Sequence, residues 1–263
     1  MTAARTEWVE LEAMRTVFEA TPTDAAKRLE LAVDVRGGAL CTRGRGVSDR
    51  LMNRVIGLGL GEEASEALLD DVVSFFPRGT NWFVSLAPQA RPPDVVERLR
   101  TRGFEPDYAW VKFTRRVAAA PSFATDLRVA RVSASDAPAF AHVVCAAYGL
   151  DPTAAPFVGA AVTGAGFDCY LAWDGDEPAG AAALFASGDT GWFGLAGTRP
   201  EFRGRGAQSA LLAVRIARAA ELGCRLLVTE TGEQVEERPS NSYRNILRSG
   251  FEIAYVRPNY RAP

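Results

Sequence analysis

The sequence predicts an α/β chain built from two consecutive units of the same pattern. Three observations carry this. A glycine-rich turn joins an apolar strand to an amphipathic helix at 192–213. The segments LRTRGFEPDYAWVKFTR (99–115) and LRSGFEIAYVRPNYR (247–261) both read as a basic helix end, Gly-Phe and an aromatic-rich strand. Between them lies VAAAPSFATD (117–126), a Pro/Ala-rich stretch of linker composition. The domains are therefore expected at 1–118 and 127–263, with a linker over 119–126.

The second unit shows the pattern most clearly. Strand 190–198 leads through Pro200 into Arg203-Gly204-Arg205-Gly206, and apolar residues then recur at Ala207, Ala210, Leu211, Val214 and Ala217, one face of a helix over 206–222. Strand 224–230 and helix 240–248 follow. The first unit repeats this order with strand 55–60, helix 62–76, strand 81–88 and helix 92–100, the last opened by Pro92, Pro93 and Asp94. A further strand is expected over 29–41. The tetrapeptide Arg43-Gly44-Arg45-Gly46 copies 203–206, but no small-residue helical face follows it, and a surface loop is expected there.

A turn stripped of side chains at a helix start suits a phosphate or pyrophosphate. Helix N-terminal N–H groups are unpaired and the macrodipole is positive at that end. Gly204 and Gly206 let the backbone approach a ligand. Neither GxxxxGK[ST] nor GxGxxG can be read through 197–209. In the first unit the corresponding stretch, Gly57 to Glu63, ends in two glutamates that repel a pyrophosphate, so that unit is expected to be degenerate.

The segment at 198–208 resembles the acyl-CoA loop of the Gcn5-related N-acetyltransferases. Pro200, Arg203 and Gly206 fall on that loop in register; Thr198 stands where valine is usual, and Gln208 where the second small residue belongs. Gly250-Phe251 matches the pair that ends the last conserved helix of that family. The resemblance covers about 126–263. It implies, for each of two tandem units, a mixed, mostly antiparallel sheet flanked by helices. It further implies an acyl-CoA-dependent N-acyltransferase that moves acetyl from acetyl-CoA directly to a primary amine. The alternative is a non-catalytic acyl-CoA-binding sensor or scaffold, and a nucleotide-binding protein with the same turn is a third reading.

By the same carry-over, the backbone of Ala196, Gly197 and Thr198 pairs with pantetheine, and amides of Gly204, Arg205, Gly206, Ala207, Gln208 and Ser209 hold the pyrophosphate. Arg203 and Arg205 add charge, and Asn241 offers a cofactor hydrogen bond. Glu230, at the end of its strand, is the candidate base for the departing ammonium proton. Glu233, Glu236 and Glu237 could instead recognise a cationic amine. The family's usual acid, a tyrosine, falls at Ile246 here; Tyr243, one turn earlier, is the substitute candidate. His142 and Cys145 are expected to be structural.

The bulk properties set the frame. The 263 residues carry a net charge of −2 with 24% charged residues, which gives no electrostatic reason to expect nucleic acid or an anionic membrane. Only Lys27 and Lys112 are lysines among 30 basic residues, and with much Ala, Gly and Arg this suggests a GC-rich bacterial genome. The four cysteines show no metal spacing, so no metal is expected and a reducing cytoplasm is the natural compartment. No run has the length of a membrane span. The acceptor is a small-molecule or peptide amine, with the segment 136–166 (Tyr148, Asp151, Phe157) shaping its site; a homodimer is compatible with all of this.

Overall fold

A computed structural model describes residues 2–45, 51–235 and 240–263. The first unit contains helices α1 (Thr2–Ala20), α2 (Thr23–Arg28), α3 (Glu66–Ser74) and α4 (Val95–Thr101). Its strands are β1 (Ala32–Arg36), β2 (Ala39–Arg43), β3 (Arg54–Ile56), β4 (Phe83–Ser85) and β5 (Glu105–Arg116). The second unit contains α5 (Ala137–Tyr148), α6 (Ala155–Gly159), α7 (Ala207–Glu221) and α8 (Asn241–Arg248). Its strands are β6 (Arg128–Arg131), β7 (Phe167–Asp174), β8 (Glu177–Ser187), β9 (Thr190–Thr198), β10 (Leu226–Gly232) and β11 (Glu252–Arg261).

All these strands join one mixed, mostly antiparallel sheet in the order β1-β2-β3-β4-β11-β5-β10-β9-β8-β7-β6. The two units exchange their last strands. β5, which closes the first unit in sequence, pairs with β10 of the second, while β11 pairs with β4 of the first. β5 and β11 also pair with each other at the centre, with Val256 opposite Val111 and Arg257 opposite Trp110. The boundary expected at 119–126 therefore does not divide the sheet. Each unit's parallel pair, β3–β4 and β9–β10, gains an antiparallel neighbour from the other unit, which leaves no open edge at the junction.

Local sequence explains the element ends. The expected strand over 55–60 stops at Ile56 because Gly57 and Gly59 turn the chain with φ of 82° and 77°. The expected strand over 29–41 is a hairpin, reversed at Gly37-Gly38. Ser65 caps α3 by accepting from the Leu68 N–H. Gly206 at φ 80° precedes α7, and Gly250 at φ 79° follows α8. The linker has no helix or strand of its own. It runs beside the glycine turn, where Thr125 Oγ1 donates to the Arg205 carbonyl at 2.8 Å.

Two sheet faces matter for the site. α7 and α8 cover one, packing Ile216, Leu212 and Ile246 on Phe113, Phe193 and Leu227. α1 and α5 cover the other, where Met14, Val17 and Phe18 meet Phe140, Val144, Phe157, Trp192 and Val228. Helix α1 was not expected from the sequence. Its buried face carries Glu7 and Glu10 among Val9, Ala13, Met14 and Val17, and those carboxylates break the apolar stripe by which such a helix is read.

Candidate functional site

β9 and β10 run parallel and in register only from Thr190–Leu226 to Phe193–Thr229. Beyond that rung, which Thr229 Oγ1 reinforces by donating to the Phe193 carbonyl at 2.9 Å, the two strands part. The cause lies in β9. Leu195 takes φ 46°, a rare conformation for a branched side chain, and the register with β8 shifts between Ala181–Gly197 and Ala183–Gly194. The bulge re-aims the strand end and leaves one edge of it without a β partner. Arg199 N–H donates to Ala179 of β8 at 2.9 Å, so by the period-two alternation Gly197 N–H also faces β8. Of the three backbone positions expected to meet pantetheine, Ala196 and Thr198 thus present their N–H groups to the cleft and Gly197 does not.

Arg215 supports this bulge. Arg215 is 2% exposed and, among the described residues, has no carboxylate partner. It donates to the Leu211 carbonyl at 2.9 Å and to the Ala183 carbonyl at 3.0 Å, and lies over the Phe193 ring at 4.6 Å. Burial pulls its pKa down to about 9. Of the face expected from the sequence, Ala207, Ala210 and Leu211 are buried, Val214 is partly buried and Ala217 is exposed, because the buried stripe continues through Leu212, Arg215, Ile216 and Ala219. An arginine four residues after a buried leucine was the available signal.

The strand end leads through a short 3-10 turn (Pro200–Phe202) into the glycine turn. Among the described residues, none of the six amides from Gly204 to Ser209 donates to a protein acceptor; the first bond of the helix is Ala210 N–H to Gly206 O at 3.0 Å. The last four, Gly206 to Ser209, are the unsatisfied donors of the α7 N-terminus, at its positive pole, and Gly204 and Arg205 add two from the preceding turn. A side chain on Gly204, whose φ is 84°, would meet nothing within 4 Å, so the turn is open on that side. Gly206 differs. A Cβ there would lie 2.5 Å from the Ala124 carbonyl oxygen, and glycine is needed at that point for the linker to pass.

The flanking side chains divide. Arg203 is exposed and, among the described residues, has no ion-pair partner. Arg205, expected to add charge to the cradle, is instead held between Asp126 and Asp174, with 2.6 Å from Nη1 to Asp174 Oδ2. The hydrogen bonds it donates to Asp174 and Asp126 raise its pKa further, and its charge is locally neutralised. Gln208, expected at the point of close approach, reaches α8, donating to Ser242 Oγ at 2.8 Å and accepting from Asn245 at 2.7 Å. Asn241 accepts from Arg244 at 2.5 Å.

The first unit shows the opposite arrangement. Leu60 N–H bonds Gly57 O, Glu62 N–H bonds Gly37 O and Ala64 N–H bonds Arg91 O. The Arg91 backbone also fills the space beside Gly59, where a Cβ would come within 2.7 Å of the Arg91 carbonyl oxygen. The chain's own backbone thus occupies the equivalent cradle. In the copied tetrapeptide, Gly44 N–H donates to Asn53 Oδ1 at 2.7 Å and Arg45 N–H to Leu29 O at 2.7 Å; Gly46 lies outside the described residues.

Glu230 lies one residue past the last β9–β10 rung, on the α1 face of the sheet. Its carboxylate accepts from Arg257 at 2.6 Å and lies 3.1 Å from Lys112 and 3.8 Å from Arg54. Glu7 and Glu10 complete the cluster from α1. Arg257 donates to Glu7 at 2.8 Å and to Glu10 at 2.7 Å, Arg54 lies 2.8 Å from Glu10, and Lys112 donates to Glu10. Tyr255 adds a hydroxyl to Glu7 at 2.6 Å. Three carboxylates thus face three cations in the interior. The two central acids respond in opposite ways. Burial pushes Glu230 up, and Arg257, Lys112 and Arg54 offset that only in part while Glu10 adds to it. For Glu10 the burial effect is outweighed by Arg257, Lys112 and Arg54, which hold it well below the ordinary range.

Glu230 and Tyr243 are not brought together. Glu230 is opposite Lys112 and Thr229 opposite Phe113, and successive strand residues face opposite sides. The Tyr243 ring stands edge-on to Phe113 at 5.0 Å, on the α8 face. Beside Glu230 on its own face, no described residue comes within 4 Å of a Cβ placed on Gly232. Glu233 accepts from the Ala109 N–H at 3.2 Å, and Glu236 and Glu237 lie outside the described residues. His142, expected to be structural, is exposed, and Cys145 beside it on α5 is buried. All four cysteines are buried free thiols, with Cys41 and Cys169 pushed up to about 12 by burial. Among the described residues no group of three or more His, Cys, Asp or Glu could hold a metal, and no helix is long and apolar enough to cross a membrane.

A bulged strand that parts from its parallel neighbour beside an anion cradle has counterparts among known proteins. Residues 146–234 match the family model of the acetyltransferase (GNAT) domain. This segment is similar to a GNAT domain. It spans the end of α5, the bulged strand, the glycine turn, α7 and β10. A GCN5-related N-acetyltransferase from Kribbella flavida superposes with a TM-score of 0.66 at 18% identity, covering 99% of this chain and 95% of that one. A tandem GNAT protein from the clavulanic acid biosynthesis pathway gives 0.61 at 14% identity over 98% and 94% of the two chains. A GCN5-related N-acetyltransferase from Sphaerobacter thermophilus gives 0.60 at 17% identity over 86% and 81%. No curated protein matches the sequence. The chain therefore has the fold of a tandem GNAT protein, and the segment that matches the GNAT family model lies in the second unit.

Proposed function

We propose that the chain is an acyl-CoA-dependent N-acyltransferase that moves acetyl from acetyl-CoA directly to a primary amine on a small molecule or peptide. The observation that carries this is the row of unpartnered amides from Gly204 to Ser209, next to a strand edge that the Leu195 bulge leaves without a β partner. The amides bind the pyrophosphate, and Arg203 adds charge from the solvent side. Ala196 and Thr198 offer cleft-facing N–H groups to the pantetheine arm and the acyl carbonyl, where fixed donors are most effective. Bound acetyl-CoA supplies an activated acyl thioester.

Glu230 takes the ammonium proton of the acceptor. Its burial raises its proton affinity towards that of a working base, while Arg257 fixes its orientation. Gly232 leaves room beside it, and Glu233 attracts a cationic acceptor. Tyr243 has no acid role in this account; the CoA thiolate is stable enough to leave without one. The four reduced thiols fit a cytoplasmic enzyme.

One observation favours a second reading. The ion pairs of Glu230 with Arg257 and Lys112 would equally suit a protein that kept the acyl-CoA site as a sensor or scaffold without turnover. Release of free thiol from acetyl-CoA, followed across a panel of amines, separates the two. Amine-dependent release supports the transferase; binding without release for any amine supports the sensor.

A further inference from the structure

The inference rests on the acyl-CoA reading above. Helix α5 ends at Tyr148 and is closed by Gly149 in the left-handed conformation, φ 66°. Its last turn is seated on the strand that would receive pantetheine. A Cβ on Gly197 would come within 2.3 Å of the Ala147 methyl carbon, so only glycine permits this approach. From that seat the Tyr148 hydroxyl oxygen accepts from the Ala196 N–H at 3.0 Å. Ala196 carries the first cleft-facing amide past the bulge. An oxygen at hydrogen-bond distance from it stands where the acyl carbonyl oxygen must go.

We propose that Tyr148 is a specificity-determining residue: its hydroxyl competes with the acyl carbonyl of the donor for the Ala196 N–H. The competition is selective. Free CoA carries a thiol at that point, a weak acceptor that gains nothing by displacing the tyrosine. Acetyl-CoA must displace it to use the amide. Both ligands share the phosphate cradle, so Tyr148 disfavours acetyl-CoA relative to CoA and leaves the cradle unaffected. Once the acyl group has been transferred, the tyrosine returns to Ala196.

Tyr148→Phe keeps the ring and its packing and removes only the oxygen. Calorimetric titration of wild type and variant with acetyl-CoA and with CoA measures the competition. The expected result is acetyl-CoA affinity tighter by about 2- to 10-fold, the range of one exposed neutral hydrogen bond, with CoA affinity unchanged within about twofold. Amide exchange at Ala196 in the ligand-free variant should quicken, a readout independent of any ligand. Equal shifts for both ligands, or weaker binding of acetyl-CoA, would show that Tyr148 merely supports the fold. Unchanged exchange at Ala196 would show that the contact does not protect it, and the proposal would fall. If neither protein binds either ligand, the acyl-CoA reading fails and the proposal fails with it. That outcome is distinct from binding by wild type with no selective gain in the variant.

Discussion

Replacing Glu10 by glutamine probes how the two units are locked together. Glu10 is fully buried, and its carboxylate meets Arg257 at 2.7 Å, Arg54 at 2.8 Å and Lys112. After the change, Arg257 keeps Glu7 and Glu230 and Lys112 keeps Glu230, but Arg54 keeps only a 3.8 Å approach to Glu230. The interior is left with one excess positive charge. Breaking a buried ion pair from one side costs about 3–5 kcal/mol. Glutamine preserves the volume and one acceptor oxygen, so the lower end, about 3 kcal/mol, is expected. In a protein of this size that is a fall in Tm of about 6–12 °C. Lys112→Met in the Glu10→Gln background restores the charge balance and should recover part of the loss. The sign with pH is also fixed. A carboxylate held below its unfolded pKa stabilises above that value, and the contribution is lost as pH falls through the lower folded value. The acid-side loss of stability should therefore be smaller in Glu10→Gln. A destabilisation under about 1 kcal/mol, with no recovery in the double variant, would refute the idea that this cluster locks the units.

Three further outcomes are expected. Glu230→Gln should lower turnover by about 10²-fold or more with little change in acetyl-CoA affinity, and should abolish an acid limb in kcat/KM that lies above the ordinary glutamate range near about 4.3; rates within about twofold would make Glu230 a structural ion. Tyr243→Phe, which keeps the edge-on packing with Phe113, should leave turnover within about twofold, far short of the effect of a positioned acid; a large loss in kcat would return the acid role to Tyr243. Gly204→Val places a side chain in the open mouth of the turn at positive φ, so acetyl-CoA affinity should fall at least about tenfold while stability falls by only about 1–2 kcal/mol; binding unchanged by calorimetry would dislodge the cradle assignment. Gly206 is the poorer probe because any side chain there also strikes Ala124.

The second unit was legible in the sequence because its elements follow local rules. Gly206 starts α7, Gly250 ends α8, and period-two and 3.6-period apolar patterns mark what lies between. The strand exchange was not legible. It depends on which partner β5 and β11 find in space, and both partners accept the same aromatic-rich pattern. Helix α1 was hidden because its buried face uses Glu7 and Glu10, whose partners come from β3, β5 and β11. The side-chain partners of Arg205 and Gln208 were not legible for a related reason. Arg205 is claimed by Asp126 and Asp174, and Gln208 by Ser242 and Asn245, and the sequence separation of those partners gives no hint of contact. Local chemistry announced the cradle; only the fold could say which side chains remain available to it.

The central claim is that the second unit alone keeps a functional cofactor cradle. Amide hydrogen exchange in the presence and absence of acetyl-CoA tests it most directly. The account predicts slowed exchange from Gly204 to Ser209 and at Ala196 and Thr198, with no change over residues 57–65. Unchanged exchange at 204–209 under saturating acetyl-CoA, or protection appearing at 57–65 instead, would contradict it.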